Sequence, residues 1–294
     1  MRVFVTGATG FVGTAVVREL TTAGHQVLGL ARSDAGAEAL KQAGVEVHRG
    51  ELTDTASLVA GALACEGVIH TAFIHDFSKF MENVEIDRVA VAAMAGALEG
   101  SGKPFVVTSG AAMVARDRVS TEYDVPAPGV PRGASEAIVE EASGRGLRSS
   151  VVRLAPSVHG AGDHGFVPQL IAIARAKGFA AYVGDGANRW PAVHRLDAAR
   201  LYRLALEKAP PGARLHGVAE EGVPMRAIAE TIGAGLGLPV RGLDEAAAAE
   251  HFGWFLRFVA LDFPTSSALT RASLGWRPEG PDLLRDMRES GYFA

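Results

Sequence analysis

TGATGFVG, residues 6–13, follows the apolar run VFVT at 3–6 and opens a segment where Val12, Val16 and Leu20 recur one helical turn apart. The order is strand, glycine loop, helix. Gly7 permits a tight turn, Gly10 lets backbone approach a phosphate, and Gly13 lets helix and strand pack closely. A pyrophosphate can then rest on free helical N–H groups at the positive end of the dipole. The spacing is G-x-x-G-x-x-G, not the commoner G-x-G-x-x-G. A glycine triplet alone fits a ligand-free turn equally well. The strand before, the helix after and the N-terminal position raise the phosphate reading above that one. The residues expected against the dinucleotide are Gly7, Thr9, Gly10, Phe11, Val12 and Gly13.

Outward from this loop the first half alternates. VLGL at 27–30, VEV at 45–47, VIHTA at 68–72, FVVTS at 105–109 and SVVRL at 150–154 are separated by helix-patterned segments rich in Ala, Leu and Glu. This spacing implies βαβ units and a parallel sheet covered on both faces. From about residue 155 the rhythm loosens, and no linker, low-complexity tract or repeat follows. The expected fold is α/β, a Rossmann-type doubly wound parallel sheet with a smaller C-terminal α/β substrate lobe. Residues 1–160 are expected to form the dinucleotide-binding domain, with part of 180–205 returning to it. Residues 161–294 are expected to form mainly the lobe, interleaved with the first domain.

The chain has 294 residues, 48% hydrophobic and 21% charged, as in an ordinary globular protein. A net charge of -4 with no Lys/Arg run gives no basic face for nucleic acid. The one cysteine, Cys65, has no internal disulfide partner and no second Cys for a metal. The N-terminus lacks a secretory pattern, and no apolar run reaches the roughly 20 residues of a membrane span. A soluble, cytoplasmic monomer or homodimer with a small-molecule substrate is expected.

The second strand ends in LARSD. An NAD enzyme usually places a carboxylate there for the ribose diol. Arg32 and Ser33 offer a guanidinium and a hydroxyl, which suit a 2′-phosphate. Asp34 stands one step late and reads as a cap for the next helix. NADP(H) is therefore expected over NAD(H).

At this point the chain resembles the extended short-chain dehydrogenase/reductase family, the sugar-nucleotide epimerase, dehydratase and 3β-hydroxysteroid dehydrogenase relatives. GELTD at 50–54 is similar to the segment whose acidic and apolar pair, here Glu51 and Leu52, lies by the adenine. VIHTAF at 68–73 resembles the strand whose end borders the cofactor, here Thr71, Ala72 and Phe73, with Thr108 on the next strand. AVHRLDAARLYRLALE at 192–207 looks like a late VHVDD-type segment, with His194 and Asp197 in matching places. LGWRP at 274–278 resembles a C-terminal signature. Each piece alone is unspecific, but five in the right order are specific, and they span nearly the whole chain.

The resemblance also implies a catalytic set, a Ser or Thr after the fifth strand and a Tyr-x-x-x-Lys on the following helix. Here the hydroxyl position falls on Gly110, the Tyr position on Arg132 and the Lys position on Glu136, in VPRGASEAIVEEA at 130–142. Tyr123 lies nine residues upstream in a loop. The chain resembles the atypical members that keep the fold and the nucleotide loop without the triad. Arg132 can stabilise an oxyanion but cannot donate and recover a proton.

Replacement donors are sought at strand ends, where ligands bind in such sheets. FIHDFSKF at 73–80 offers His75, whose imidazole titrates near neutral pH, beside Asp76, which can orient it and favour its charged form. Ser109 can replace the hydroxyl missing at Gly110. An ordinary loop histidine beside a helix-capping Asp is an equal reading of His75 and Asp76. By the resemblance, Pro156, Ser157 and Val158 border the nicotinamide. His159 and His164, with Tyr182, Trp190 and His194, are candidates around the substrate. A structural or core role competes for each, above all for Trp190. His159, Asp163 and His164 follow no recognised zinc spacing, so no metal is expected. HFGWF at 251–255 reads as lobe core, or as an apolar substrate wall.

The leading expectation is an NADPH-dependent reductase of a small carbonyl- or imine-like substrate with a non-standard proton donor. The alternatives are an NADP(H)-binding sensor without catalysis, and a sugar-nucleotide epimerase or dehydratase. A sensor has no use for a His-bearing loop at the nicotinamide end.

Overall fold

The alternation in the first half builds one parallel sheet. The computed structural model describes residues 1–114 and 117–294, with the backbone but not the side chain of Phe77. In chain order the first half contains β1 (Arg2–Thr6), α1 (Phe11–Thr22), β2 (Gln26–Ala31), α2 (Asp34–Gln42), β3 (Glu46–Arg49), α3 (Thr55–Leu63), β4 (Gly67–His70), α4 (Phe80–Ala97), β5 (Pro104–Gly110), α5 (Gly133–Gly144) and β6 (Arg148–Leu154). With β10 (Ala213–Gly217) they form a seven-stranded sheet in the order β10-β6-β5-β4-β1-β2-β3. Every pairing in it is parallel. The winding reverses between β1 and β4, whose last residues Thr6 and His70 are in register. That reversal opens a crevice at the C-terminal ends of the strands, where ligands bind in such sheets.

Both faces of the sheet are buried, which is why its strands read as continuous apolar runs. Val3, Val5 and Val106 pack with Val16, Leu20 and Tyr202 on one face. Phe4, Phe105 and Val107 pack with Leu58, Met94 and Val139 on the other. Ser33, not Asp34 as expected, caps α2 by accepting from Gly36 N, because its hydroxyl stands one residue before the helix; Asp54 accepts from Ser57 N at the start of α3.

The second half contributes β7 (Ser157–His159), α6 (Phe166–Lys177), β8 (Ala180–Val183), β9 (Arg189–His194), α7 (Arg195–Lys208), β11 (Glu220–Pro224), α8 (Met225–Leu236), β12 (Val240–Leu243), α9 (Glu245–Phe252), α10 (Leu256–Val259), α11 (Ala268–Leu274) and α12 (Leu283–Glu289). Two small sheets, β11-β9-β7 and β12-β8, flank a separate apolar core that includes Trp190, Phe252 and Phe255. The chain returns to the large sheet through α7, which packs along α1, and β10, its edge strand. Trp276 and Leu274 also join the first core. Trp276 Nε1 donates to Asp197 O at 3.0 Å, and the Asp197 carboxylate accepts from Glu279 N and Gly280 N. Asp197 thus ties the C-terminal signature to α7.

Among the described residues no helix is long and apolar enough to cross a membrane, and no cluster of His, Cys, Asp or Glu has the makeup of a metal site.

Candidate functional site

The glycine loop has the shape its spacing predicts. Gly7 has φ +70°, and a Cβ on it would lie 2.7 Å from Ala72 N and Thr71 Oγ1. A Cβ on Gly13 would lie 1.9 Å from Gly7 O, so only glycine lets α1 approach β1. Gly10 caps α1 without any side-chain hydrogen bond, and no acidic residue stands in the first turn. The first N–H groups of α1 therefore remain open to an anion. Phe11 opens α1 under Arg195, whose guanidinium carbon is 5.1 Å from its ring centre. His164 packs edge-on against the same ring at 5.7 Å. His164 thus lies beside the dinucleotide loop, not in a substrate pocket remote from it.

At the end of β2, Arg32 is exposed and makes no ion pair among the described residues. The Ser33 hydroxyl accepts from Gly36 N, which leaves its own proton to donate. Asp34 is turned toward Arg49, with Nη2 to Oδ1 at 2.9 Å, and Arg49 Nη1 donates to Ser33 O at 2.6 Å. The Arg49 guanidinium thus lies against Ser33, next in the chain to exposed Arg32. Arg49 was not read from the sequence, because it stands on β3, a neighbour only in the sheet. Glu51 is exposed and accepts from Thr53, and half-buried Leu52 packs on the α3–α4 core.

These features fit a pyridine dinucleotide. The gap over Gly7 would be closed by any Cβ, the helix terminus carries no side-chain cap, and no carboxylate is free at the ribose end of β2.

The far end of the crevice is built by the loops after β4 and β5. Thr71 Oγ1 donates to Thr6 O at 2.8 Å, and Ala72 N donates to Thr6 Oγ1 at 3.4 Å. The Thr108 hydroxyl is spent, donating to His70 O and joined to Tyr202 Oη, both at 2.7 Å. Tyr202 is fully buried, and burial pushes its phenol far above its ordinary value, so it stays neutral. Ser109 projects to the opposite face and is only 3% exposed, with no hydrogen bond to Oγ among the described residues. At Gly110 an added Cβ would meet nothing within 4 Å. A side chain at Gly110 would therefore enter open space.

Arg132 stands just before α5, with its side chain 13% exposed. Its Nη2 donates to Thr108 O at 2.8 Å and lies 3.5 Å from Asp87 Oδ1. Phe73 lies against the guanidinium, 4.3 Å from ring centre to Cζ. Asp87, on α4, is wholly buried. It accepts from His70 Nε2 at 3.3 Å and from Ser135 Oγ at 2.8 Å. Thr6 Oγ1 in turn meets His70 Nδ1 at 2.8 Å. Burial alone would raise the Asp87 carboxyl, but His70, Arg132 and Ser135 outweigh it and hold the carboxyl below its usual range. Nothing in the sequence paired Arg132 with Asp87, since the two share no periodic pattern.

Glu136 pairs with a buried arginine. It is 5% exposed and turned to Arg153 on β6, whose Nη2 is 2.6 Å away and whose Nε is 3.1 Å from both carboxylate oxygens. Arg153 also donates to Asp124 O at 2.9 Å and meets His216 at 3.3 Å.

His75 is exposed at the cleft, with its ring edge-on to Phe73 at 5.3 Å. Its pKa is lowered by the protein packed around it, then by the charges of Arg132 and His164. Asp76 does not orient it as expected. Its carboxylate accepts from Ser78 N at 3.0 Å and Ser78 Oγ at 2.6 Å, capping a short 3-10 turn. The local hydrogen bonds of Ser78 win over the imidazole.

Several expected substrate residues are structural instead. His159 is fully buried and bonds Asp286 on α12 at 2.7 Å. His194 packs against that imidazole at 5.5 Å, behind Gly280. Trp190 is 1% exposed among Phe166, Phe255 and Phe263, so it fills the lobe core. Tyr182 lies on β8 under Arg226. Pro156 is half-buried between β6 and β7, and β7 opens with buried Ser157 and half-buried Val158. Tyr123 is 79% exposed and takes no part in the site. HFGWF at 251–255 supplies the buried Phe252 and Phe255 to the lobe core.

The sequence pattern of the NAD dependent epimerase/dehydratase family matches residues 3–215. An uncharacterised protein of Schizosaccharomyces pombe is 46% identical over 295 residues, covering all of both chains. The 2-alkyl-3-oxoalkanoate reductase of Stenotrophomonas maltophilia is 30% identical over 259 residues, covering 81% of this chain and 77% of its own. Among solved structures, DesIV, a dTDP-glucose 4,6-dehydratase from Streptomyces venezuelae with NAD and TYD bound, superposes with a TM-score of 0.78. It is 19% identical, and the match covers 100% of this chain and 96% of that one.

Proposed function

Because the chain belongs to the NAD dependent epimerase/dehydratase family, we propose that it is an NADP(H)-dependent oxidoreductase reducing a small carbonyl- or imine-like substrate. The observation that carries this reading is the end of β2, where exposed Arg32 stands beside Ser33 and Arg49 and no carboxylate is free. An exposed guanidinium at Arg32 beside the Ser33 hydroxyl suits a 2′-phosphate and not a ribose diol, and Arg49 holds the nearby Asp34 carboxylate. The similarity to a 2-alkyl-3-oxoalkanoate reductase supports the reductive direction. NADPH, when bound, supplies the hydride. The chain supplies the anion site at α1, the wall made by Thr71, Ala72 and Phe73, and a group to meet the new charge on oxygen.

In this reading His75 delivers the proton. Its lowered pKa makes it a stronger acid that is less populated at neutral pH. Turnover therefore falls as pH rises through a value below 6.5.

The test of cofactor choice is Arg32→Ala, with NADPH and NADH affinities read by fluorescence titration. Loss of one charge-assisted hydrogen bond, about 1.5–3 kcal/mol, should weaken NADPH roughly ten- to a hundredfold and leave NADH nearly unchanged. Equal losses, or no preference in the unaltered protein, would remove the 2′-phosphate assignment. Net consumption of NADPH with a carbonyl substrate separates this reading from a redox-neutral sugar-nucleotide isomerase and from a sensor that only binds.

A further inference from the structure

We propose that Arg132 is a catalytic residue whose guanidinium receives the negative charge on the substrate oxygen, in the place where relatives use a tyrosine. The inference rests on the reductase reading above and says which group handles its charge.

Three observations carry it. The first is position: Arg132 is fastened at the C-terminal ends of β4 and β5, by Thr108 O at 2.8 Å and Asp87 at 3.5 Å, with Phe73 against the guanidinium. The second is spare capacity. Nε is buried with no partner, and Nη1 makes no hydrogen bond among the described residues. A buried donor left unpaired is costly, and sites that keep one usually use it. The third is room: nothing lies within 4 Å of a Cβ placed on Gly110.

Asp87 acts as a positioning residue. It holds Nη2 while also accepting from His70 and Ser135. Held this way, the guanidinium needs little reorganisation when charge develops beside it.

The step balances as follows. A hydride from NADPH adds to the carbonyl carbon and forms a C–H bond. The C=O π pair moves to oxygen, and NADPH becomes NADP⁺. The alkoxide rests on Arg132, which keeps its own protons, and takes one proton from His75 in its charged form. Arg132 thus separates charge stabilisation from proton delivery, two tasks that a tyrosine performs together.

An anionic oxygen can also come from a substrate carboxylate, so the test uses two probes. Trifluoroethanol, an alcohol whose oxygen gives up its proton more easily than that of ethanol and stands in for the product oxygen, and acetate are each titrated calorimetrically into protein saturated with NADP⁺. Trifluoroethanol is expected to bind at least tenfold more weakly to Arg132→Met, with NADP⁺ affinity unchanged. Arg132→Lys, which keeps a cation beside Asp87, is expected to retain part of that binding. His75 provides a second readout by NMR titration. It is faced by Arg132 and His164, while Asp76 is held by Ser78. Its pKa should rise in Arg132→Met, and in the unaltered protein it should rise when acetate neutralises the guanidinium. Arg132-dependent binding of acetate but not trifluoroethanol would overturn the alkoxide role in favour of a carboxylate-binding one. Binding of both probes unchanged in Arg132→Met, or of neither to the unaltered protein, would overturn the proposal outright. Failure of NADP⁺ itself to bind would instead sink the reductase reading.

Discussion

Glu136→Gln is expected to weaken the fold without emptying the cofactor site. Arg153 is fully buried, and its Nε and Nη2 reach the Glu136 carboxylate through contacts of 2.6–3.1 Å. Removing one partner of such a pair leaves an uncompensated buried charge and costs about 3–5 kcal/mol. Glutamine keeps one acceptor oxygen, and Arg153 keeps Asp124 O and His216. The lower end, about 3 kcal/mol, therefore applies. An unfolding entropy near 2.1 cal/mol/K per residue amounts to roughly 0.6 kcal/mol/K for this chain, so Tm should fall by about 5 °C. Thermal unfolding by circular dichroism at neutral pH measures this, with an NADPH titration of the same variant beside it. The paired change Glu136→Leu with Arg153→Met removes both charges and should cost much less than Glu136→Gln alone. Glu136→Lys would bury two cations together, so it should be worse than Gln. A Tm within about a degree of the unaltered protein, or a double variant less stable than the single one, would refute the reasoning. Loss of NADPH binding in a folded Glu136→Gln would mean that the carboxylate serves the cofactor after all.

Gly110→Ser should fold normally, since its Cβ would meet nothing within 4 Å. A Tm change beyond that of an ordinary surface substitution, about 0.5 kcal/mol, would show the space to be filled. Stability should also fall as pH drops below 6.5, because burial lowers the pKa of His194, His216 and His251 in the folded chain. Unfolded, these imidazoles take a proton near their ordinary value of 6.5, so between that pH and their folded values the unfolded chain binds more protons and is favoured. A flat Tm profile from pH 8 down to pH 5.5 would contradict this.

What the sequence determined by itself was local. The glycine spacing at 7, 10 and 13 states backbone requirements that any fold must meet, and the structure meets them with a positive φ at Gly7 and a 1.9 Å clash for any Cβ at Gly13. The doubly wound sheet was legible because strands buried on both faces need continuous apolar runs, and βαβ spacing admits few topologies. Gly110, Arg132 and Glu136 drew attention through the resemblance, which placed a hydroxyl, a tyrosine and a lysine at those positions. What those residues do instead was decided by partners far along the chain or on other elements. Glu136 finds Arg153 on β6, and Arg132 finds Asp87 on α4. His159 finds Asp286, 127 residues away, and so becomes structural. Asp76 is the exception: it bonds Ser78 two residues on, the local cap that the sequence offered equally beside a pairing with His75. The physical reason is that a charged or imidazole side chain has no fixed role of its own. Its pKa, its spare hydrogen bonds and its exposure depend on which groups the tertiary structure brings within a few ångströms, and periodicity carries no record of that choice.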